Sequence, residues 1–257
     1  MIVIKAIDFY YEKIFWKEVF IDKITVISDV HSNLEALKAV LADIKERKVN
    51  KIICLGDTIV KGIHQQESVE LIKQNCSIVL RGNCDEYFTS DIELSKLSKK
   101  EIARINWKKS KLSSENINYL QNLPFSYEFY MSGRLIRLFH VPYMQKLYKW
   151  ILINTGSVGN AIDIIKEQGK NGYIKNTTVA SYLVISGIYD SRNLDNKISY
   201  ELVSVPYNIE KELSTNKDNI ELESYEEELR NGKYRDSVTR CRKIWIIAIP
   251  KDLCYYI

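Results

Sequence analysis

KITVISDVHSNLEALKAVLADIKERKVNKIICLGDTIVKG, residues 23–62, decides the fold. Residues 23–28 (KITVIS) form a β-branched apolar run of the kind that fills a buried strand. Ser32 or Asn33 can cap a following helix, and Leu34, Leu37, Val40, Leu41 and Ile44 give that helix an apolar stripe at 3.6-residue spacing. Residues 51–55 (KIICL) repeat the buried-strand pattern. Further on, residues 66–75 (QESVELIKQN) read as a helix and 77–80 (SIVL) as a third strand. Strand, helix, strand, helix, strand implies parallel pairing with right-handed crossovers, hence an α/β fold.

Three segments follow these strands directly. They are Asp29-Val30-His31, the run from Gly56-Asp57 to Lys61-Gly62, and Gly82-Asn83-Cys84-Asp85. In an open α/β sheet, ligands collect at the carboxyl ends of strands, so Asp, His, Asp and Asn arrive at one edge. Carboxylates and an amide oxygen suit Mn²⁺ or Mg²⁺, and imidazole widens the range to iron, zinc or nickel. Asp29 and His31, two apart and extended, can turn to one ion. Asp57 can bridge two ions with its two oxygens, and Asn83 can add a neutral oxygen to the second. Two ions ~3.5–4 Å apart can grip a phosphate and acidify water between them. Gly56, Gly62 and Gly82 permit tight turns and close approach of a phosphate to the backbone. Any one of these segments alone is as well read as a helix cap. Their conjunction, in order and each at a strand end, points to a metal site.

The remainder is less sharply patterned. Residues 91–122 suggest two helices, the second capped near Ser113 or Ser114; 125–130 and 134–139 flank Met131-Ser132-Gly133 as a hairpin. Residues 150–154 and 178–186 read as strands, and 197–205 alternates enough to pair with the latter. Residues 208–240 are charged and helical in character. Lys96, Lys99, Lys100, Arg104, Lys108, Lys109 and Lys111 surround Trp107 in a basic stretch, read as a solvated helix face rather than a nucleic-acid surface. A net charge of +4 over 257 residues, with 46% apolar and 27% charged residues, fits an ordinary globular core and gives no electrostatic case for nucleic acid.

The five cysteines, Cys54, Cys76, Cys84, Cys241 and Cys254, form no CxxC pair, which excludes a zinc knot or disulfide scaffold and fits a reducing cytoplasm. Residues 1–20 offer no apolar h-region or cleavage site, and the run 244–249 is too short to cross a bilayer. The expected organisation is an N-terminal extension (1–22), a main domain (23–206), and a charged helical region with an apolar tail (207–257).

SDVHSN (28–33), LGDTIVKG (55–62), RGNCD (81–85) and NTGSVG (154–159) together resemble the calcineurin-like metallophosphoesterase family, in particular its small bacterial and archaeal phosphodiesterase branch. The resemblance implies a four-layer α/β/β/α sandwich, a two-metal centre and phosphoester hydrolysis. It makes Asp29 and His31 ligands of the first metal, Asp57 the bridge and Asn83 a ligand of the second. Relatives often place a His after that Asn, where this chain has Cys84; Cys84 and Asp85 would support the ligands from behind.

The family pattern carries three further histidines, whereas this chain has only His31, His64 and His140. His64 reads as a loop residue. His140 ends the RLIRLF strand like the family's fourth-motif His, yet precedes Val141-Pro142-Tyr143 like the last His of a GHTHxP element. A deletion joining the two motifs accounts for both, and would remove a strand and helix and expose sheet edges. His140 joins Asp57 and Asn83 as a candidate catalytic residue, and joins Asp29, His31, Asp57 and Asn83 as a candidate ligand. The expected function is a metal-dependent phosphodiesterase or nucleotide phosphatase acting on a small phosphoester or nucleotide, Mn²⁺ being the favoured ion. The alternative is a catalytically degenerate metal- or nucleotide-binding remnant.

Overall fold

Strand β1 (Asp22–Ile27) is buried on both faces, which explains its unbroken apolar run: Ile24 and Val26 face one core cluster while Ile27 faces another. The computed structural model describes residues 21–89, 98–140, 150–159, 162–165, 173–176, 179–215, 217–231 and 246–250. β1 pairs in parallel with β2 (Lys51–Cys54), and β2 in parallel with β3 (Ile78–Val79). On its other side β1 meets β9 (Val179–Gly187), which pairs with β10 (Ser199–Pro206), both antiparallel. The first sheet therefore runs β10-β9-β1-β2-β3.

Helix α1 (Leu34–Glu46) is capped by Asn33, whose side chain accepts from the Ala36 N–H at 3.1 Å. It buries Leu34, Ala36, Leu37, Val40 and Ile44. Helices α2 (Gln65–Asn75), α4 (Lys99–Lys109) and α5 (Ser114–Gln121) join it in one cluster against the first sheet, through Ile72, Ile105 and Leu120 among others. Ser113 caps α5 by accepting from the Asn116 N–H. The opposite face of the first sheet presents Ile24, Val26, Ile53, Leu55, Leu183 and Ile185. They pack on Phe129 and Met131 of β4 (Ser126–Met131) and Ile136 and Leu138 of β5 (Arg134–Phe139). Each such fully buried side chain contributes about 1.5–3 kcal/mol.

The described residues thus form helix, sheet and sheet layers of a mixed α/β fold. Among them, no helix makes an extended contact with the second sheet, so the expected fourth layer stays an expectation. The second sheet runs β4-β5-β11-β6, with β6 at Trp150–Ile153 and β11 at Ile246–Pro250. β11 is antiparallel to both β5 and β6 and lies between them. The sheet edges expected to be open are therefore hydrogen-bonded to the apolar C-terminal run, because unpaired strand edges recruit any strand within reach.

Other differences are local. The expected helical stretch 208–240 is two helices, α6 (Ile209–Thr215) and α7 (Leu222–Asn231), while 232–240 lies outside the described residues. The hairpin β7–β8 (Ile162–Ile165, Tyr173–Asn176) and the short α3 (Asn83–Thr89) were not expected. Part of the basic stretch also departs from expectation. Lys108 is 1% exposed rather than solvated, while Lys99, Lys100, Lys109 and Lys111 are exposed as expected and Lys96 lies outside the described residues.

Candidate metal centre

The loops after β1 and β2 are zipped together by their backbones. Asp29 N–H donates to Gly56 O at 3.0 Å, His31 N–H to Asp57 O at 2.9 Å, and Ser32 N–H to Thr58 O at 2.9 Å. Asp29, His31, Ser32 and Asp57 take φ values of 54°, 53°, 58° and 53°, in the left-handed region. Each such non-glycine residue stores of order 1–3 kcal/mol, a strain tolerated where surrounding contacts enforce it. The 154–159 segment supplies one of those contacts. Val158 N–H donates to Ser28 O and Gly159 N–H to Asp29 O, while Asn33 Nδ2 donates to Gly159 O.

The close approach that Gly56 and Gly82 permit is first of all to each other. A Cβ on Gly56 would lie 2.2 Å from Gly82 N, and one on Gly82 would lie 2.1 Å from Asp57 N and 2.3 Å from Asp57 Oδ1. The pinch is tied from below by Asp85, whose Oδ2 accepts from the N–H of Asp57 (2.8 Å) and of Gly82 (2.9 Å), and whose Oδ1 accepts from Thr58 N–H (3.0 Å). Burial and the neighbouring Asp57 carboxylate push the Asp85 pKa up to about 7, against those amides.

The five candidate ligands converge. Asp29, His31, Asp57 and His140 are each 3% exposed or less, while Asn83 is exposed. His31 Nε2 lies 3.2 Å from Asp29 Oδ1 and 3.9 Å from Asp57 Oδ2. His140 Nε2 lies 3.0 Å from Asp57 Oδ1 and 3.2 Å from Asn83 Oδ1. Burial lowers the His140 pKa, but the carboxylates of Asp57, Asp29 and Asp85 together outweigh it, so the net shift is upward. His64 takes no part: it hydrogen-bonds Thr215 Oγ1 at 2.8 Å and sits 3.4 Å from Glu67.

The donors fit divalent ions. Asp29, Asp57 and His140 form one buried group whose ligand atoms all lie within 4.8 Å of one another, and His31, Asp57 and Cys84 form a second. Donors held about 2.1 Å from a common ion are separated by roughly 3–4 Å, so small adjustments of either group suffice. Asp57 belongs to both, as a bridging carboxylate would.

Three residues that steady the loop after Asp57 escaped the sequence reading. Gln65 Oε1 accepts from Val60 N–H (2.9 Å) and Ser32 Oγ (2.8 Å). Lys108 Nζ and Asn219 Nδ2 both donate to Lys61 O, at 3.1 and 2.9 Å. Val60 and Lys61 have φ of 83° and 61°, so this loop needs such support. A signal for Lys108 existed: it lies three residues after Ile105 and four before Leu112, on the buried stripe of α4.

The sequence pattern of the Calcineurin-like phosphoesterase family matches residues 22–197. A metallophosphoesterase from Sphaerobacter thermophilus superposes with a TM-score of 0.55 at 21% identity, covering 82% of this chain and 100% of that one. A hypothetical protein from Pyrococcus horikoshii OT3 gives 0.56 at 16% identity, covering 83% and 99%. At those identities the two share the fold. An uncharacterized protein of Methanocaldococcus jannaschii is 42% identical over 118 residues, 46% of this chain and 48% of its own length. The chain thus spans about half the length of that curated relative. The matched pattern covers well over half of the 257 residues, and the chain belongs to the calcineurin-like phosphoesterase family.

Proposed function

We propose that this chain is a metal-dependent phosphoester hydrolase, a phosphodiesterase or nucleotide phosphatase acting on a small phosphoester or nucleotide in the cytoplasm. One observation carries the reading: Asp29, His31, Asp57, Asn83 and His140, spread over more than a hundred residues, meet at one sheet edge around a shared carboxylate. Divalent ions held there, Mn²⁺ first and Mg²⁺, Fe²⁺, Zn²⁺ or Ni²⁺ as alternatives, would neutralise phosphate charge and acidify a water.

The side chains do the rest. Asp57 presents its two oxygens to the two donor groups, and Asp85 holds the Asp57 backbone in place. His140 sets its Nε2 beside Asp57 Oδ1 and Asn83 Oδ1, where its imidazole would help hold an ion against the phosphoester. Asn83, exposed at the cluster, would add a neutral amide oxygen beside His140. No described helix is long and apolar enough to cross a membrane.

The test is Mn²⁺-dependent hydrolysis of bis(p-nitrophenyl) phosphate by the full chain. Turnover should fall at least 10²-fold in Asp57→Asn, as when a transition-state charge partner is lost. No turnover in the parent, or equal turnover in the variant, rejects the reading.

A second reading rests on the histidine count. Three histidines leave the family's pattern short of imidazoles, and β5 and β6 lie apart with only β11 between them. Both fit a lost strand–helix segment between His140 and Asn154. The chain would then be a degenerate binding protein. Calorimetric titration with Mn²⁺ separates the two: two tight sites support the enzyme, one weak site the remnant.

A further inference from the structure

The cluster holds one donor type that neither the hydrolase reading nor a manganese site calls for. Cys84, 9% exposed, follows Asn83 at the start of α3. Its N–H donates to Asp57 Oδ1 at 2.7 Å, which fixes the residue against the shared carboxylate. Its Sγ lies within 4.8 Å of both a His31 ring nitrogen and an Asp57 oxygen, and all three side chains are buried. His31 Nδ1 is 3.4 Å from Ile59 O, and Nε2 faces the carboxylates, 3.2 Å from Asp29 Oδ1 and 3.9 Å from Asp57 Oδ2.

Resting on the metal-centre reading above, we infer that Cys84 is a metal ligand and that His31, Asp57 and Cys84 hold a thiophilic ion of the zinc, iron(II) or cobalt(II) type. The neighbouring group of Asp29, Asp57 and His140 has two carboxylates and one imidazole and takes the harder ion. The chemistry follows from the donors: thiolate with imidazole selects zinc and iron, while carboxylate with water selects manganese and magnesium. On binding, the Cys84 S–H bond breaks, its proton leaves to solvent, and the sulfur lone pair forms the bond to the ion, with no change of oxidation state. A sulfur donor here also compensates in part for the chain's shortage of histidines, by supplying a third strong ligand from a position already pinned by the Asp57 carboxylate.

The experiment is cobalt substitution of the full chain. Co²⁺ is added to metal-stripped protein, and the near-ultraviolet thiolate-to-cobalt charge-transfer band is followed. One equivalent of ion should develop the band. Cys84→Ser should abolish it, while Cys76→Ser, at a half-buried position between α2 and β3 and outside both donor groups, should leave it intact. Zinc should displace the cobalt, and the preference for zinc over manganese should drop at least about tenfold in Cys84→Ser, since even groups behind a ligand alter affinity by 10–100-fold. X-ray absorption of the zinc form should find sulfur at about 2.3 Å, which decides the matter should the serine variant fail to fold. Absence of the band, its persistence in Cys84→Ser, or zinc without a sulfur neighbour overturns the assignment. Because these readouts are spectroscopic, they separate from turnover. A Cys84-dependent band without hydrolysis upholds the ligand and sinks the hydrolase, and hydrolysis without the band does the reverse.

Discussion

Gly82→Ala places a methyl group where the backbone of the neighbouring loop already lies. The new carbon would sit 2.1 Å from Asp57 N, 2.3 Å from Asp57 Oδ1 and 2.9 Å from Asp57 Cα. Ordinary contacts of carbon with heavy atoms begin near 3.4 Å, so the loops must part by more than 1 Å. Two of the partners are main-chain atoms, which no rotamer change can move aside. Parting them also breaks the convergence of the Asp57 and Gly82 amides on the single oxygen Asp85 Oδ2, at 2.8 and 2.9 Å. Overpacking of this kind costs about 1–3 kcal/mol, and each weakened buried bond about 1 kcal/mol. The sum is roughly 3 kcal/mol, which in urea corresponds to a midpoint lower by about 1 M or more. The shift of Asp57 acts on the metal centre as well: a displacement near 1 Å at a reacting group can cost about 10²-fold in rate. Chemical unfolding monitored by circular dichroism, beside Mn²⁺ titration, measures both effects. A variant with an unchanged midpoint and unchanged metal affinity would refute the claim that the Gly56–Gly82 pinch sets the position of Asp57.

Lys108→Met should change how stability depends on pH. Burial holds the Lys108 ammonium pKa down to about 8, against the pull of Glu221. The unfolded chain therefore keeps a proton between about pH 8 and 10.5 that the folded chain has shed, so this group makes stability rise with pH across that window. The rise amounts to about 3 kcal/mol. Cys54, pushed by burial up to about 12, acts in the opposite sense above pH 9, so the quantity to measure is the difference between parent and variant unfolding curves. A constant difference from pH 8 to 10 refutes the prediction. Ala248→Pro should break the ladder of β11 with β5 and β6, because proline cannot donate from a central strand. The expected loss is about 1–3 kcal/mol, and amide exchange at residues 135–139 should quicken; unaltered exchange there would show that β11 contributes no pairing in solution.

Much of this was legible in the sequence because the signals were redundant. Residues 23–62 alternate between two chain periods, and each predicted strand ends on a residue type suited to metals. Asn33 and Ser113 announce their helices by side chains that reach an amide three residues on. The convergence of Asp29, Asp57 and Asn83 followed from topology alone, since consecutive parallel strands bring their carboxyl ends together. What stayed hidden was long-range. Residues 246–250 are an apolar run with no local mark of their partners, and only the open edges of β5 and β6 give them a place. Lys108 was hidden by its neighbours: four exposed lysines around it made the helix face look uniformly solvated, whereas its spacing from Ile105 and Leu112 turns it inward to Lys61 O. The place of Cys84 in the cluster was hidden too, because sequence gives no side-chain direction: its N–H donates to Asp57 Oδ1, and its Sγ lies within 4.8 Å of a His31 ring nitrogen.

Asp57 joins the chemistry of the site to the stability of the fold. Its backbone carbonyl accepts from His31, its N–H donates to Asp85, and its carboxylate accepts from Cys84 and faces His31 and His140. The same residue sits at positive φ between strand and loop. Strain of that kind persists only when surrounding bonds over-determine it, and here those bonds come from three separate chain segments, so the ligand geometry exists only when β1, β2 and β3 are assembled. An ion that binds this geometry and not the unfolded chain must therefore stabilise the fold by mass action. It would also offset the crowding of Asp29, Asp57 and Asp85, the carboxylates that raise the His140 pKa, with Asp57 raising that of Asp85 as well. Metal affinity and folding stability at this sheet edge are consequently linked quantities, and a substitution that loosens the pinch beneath Asp57 lowers both.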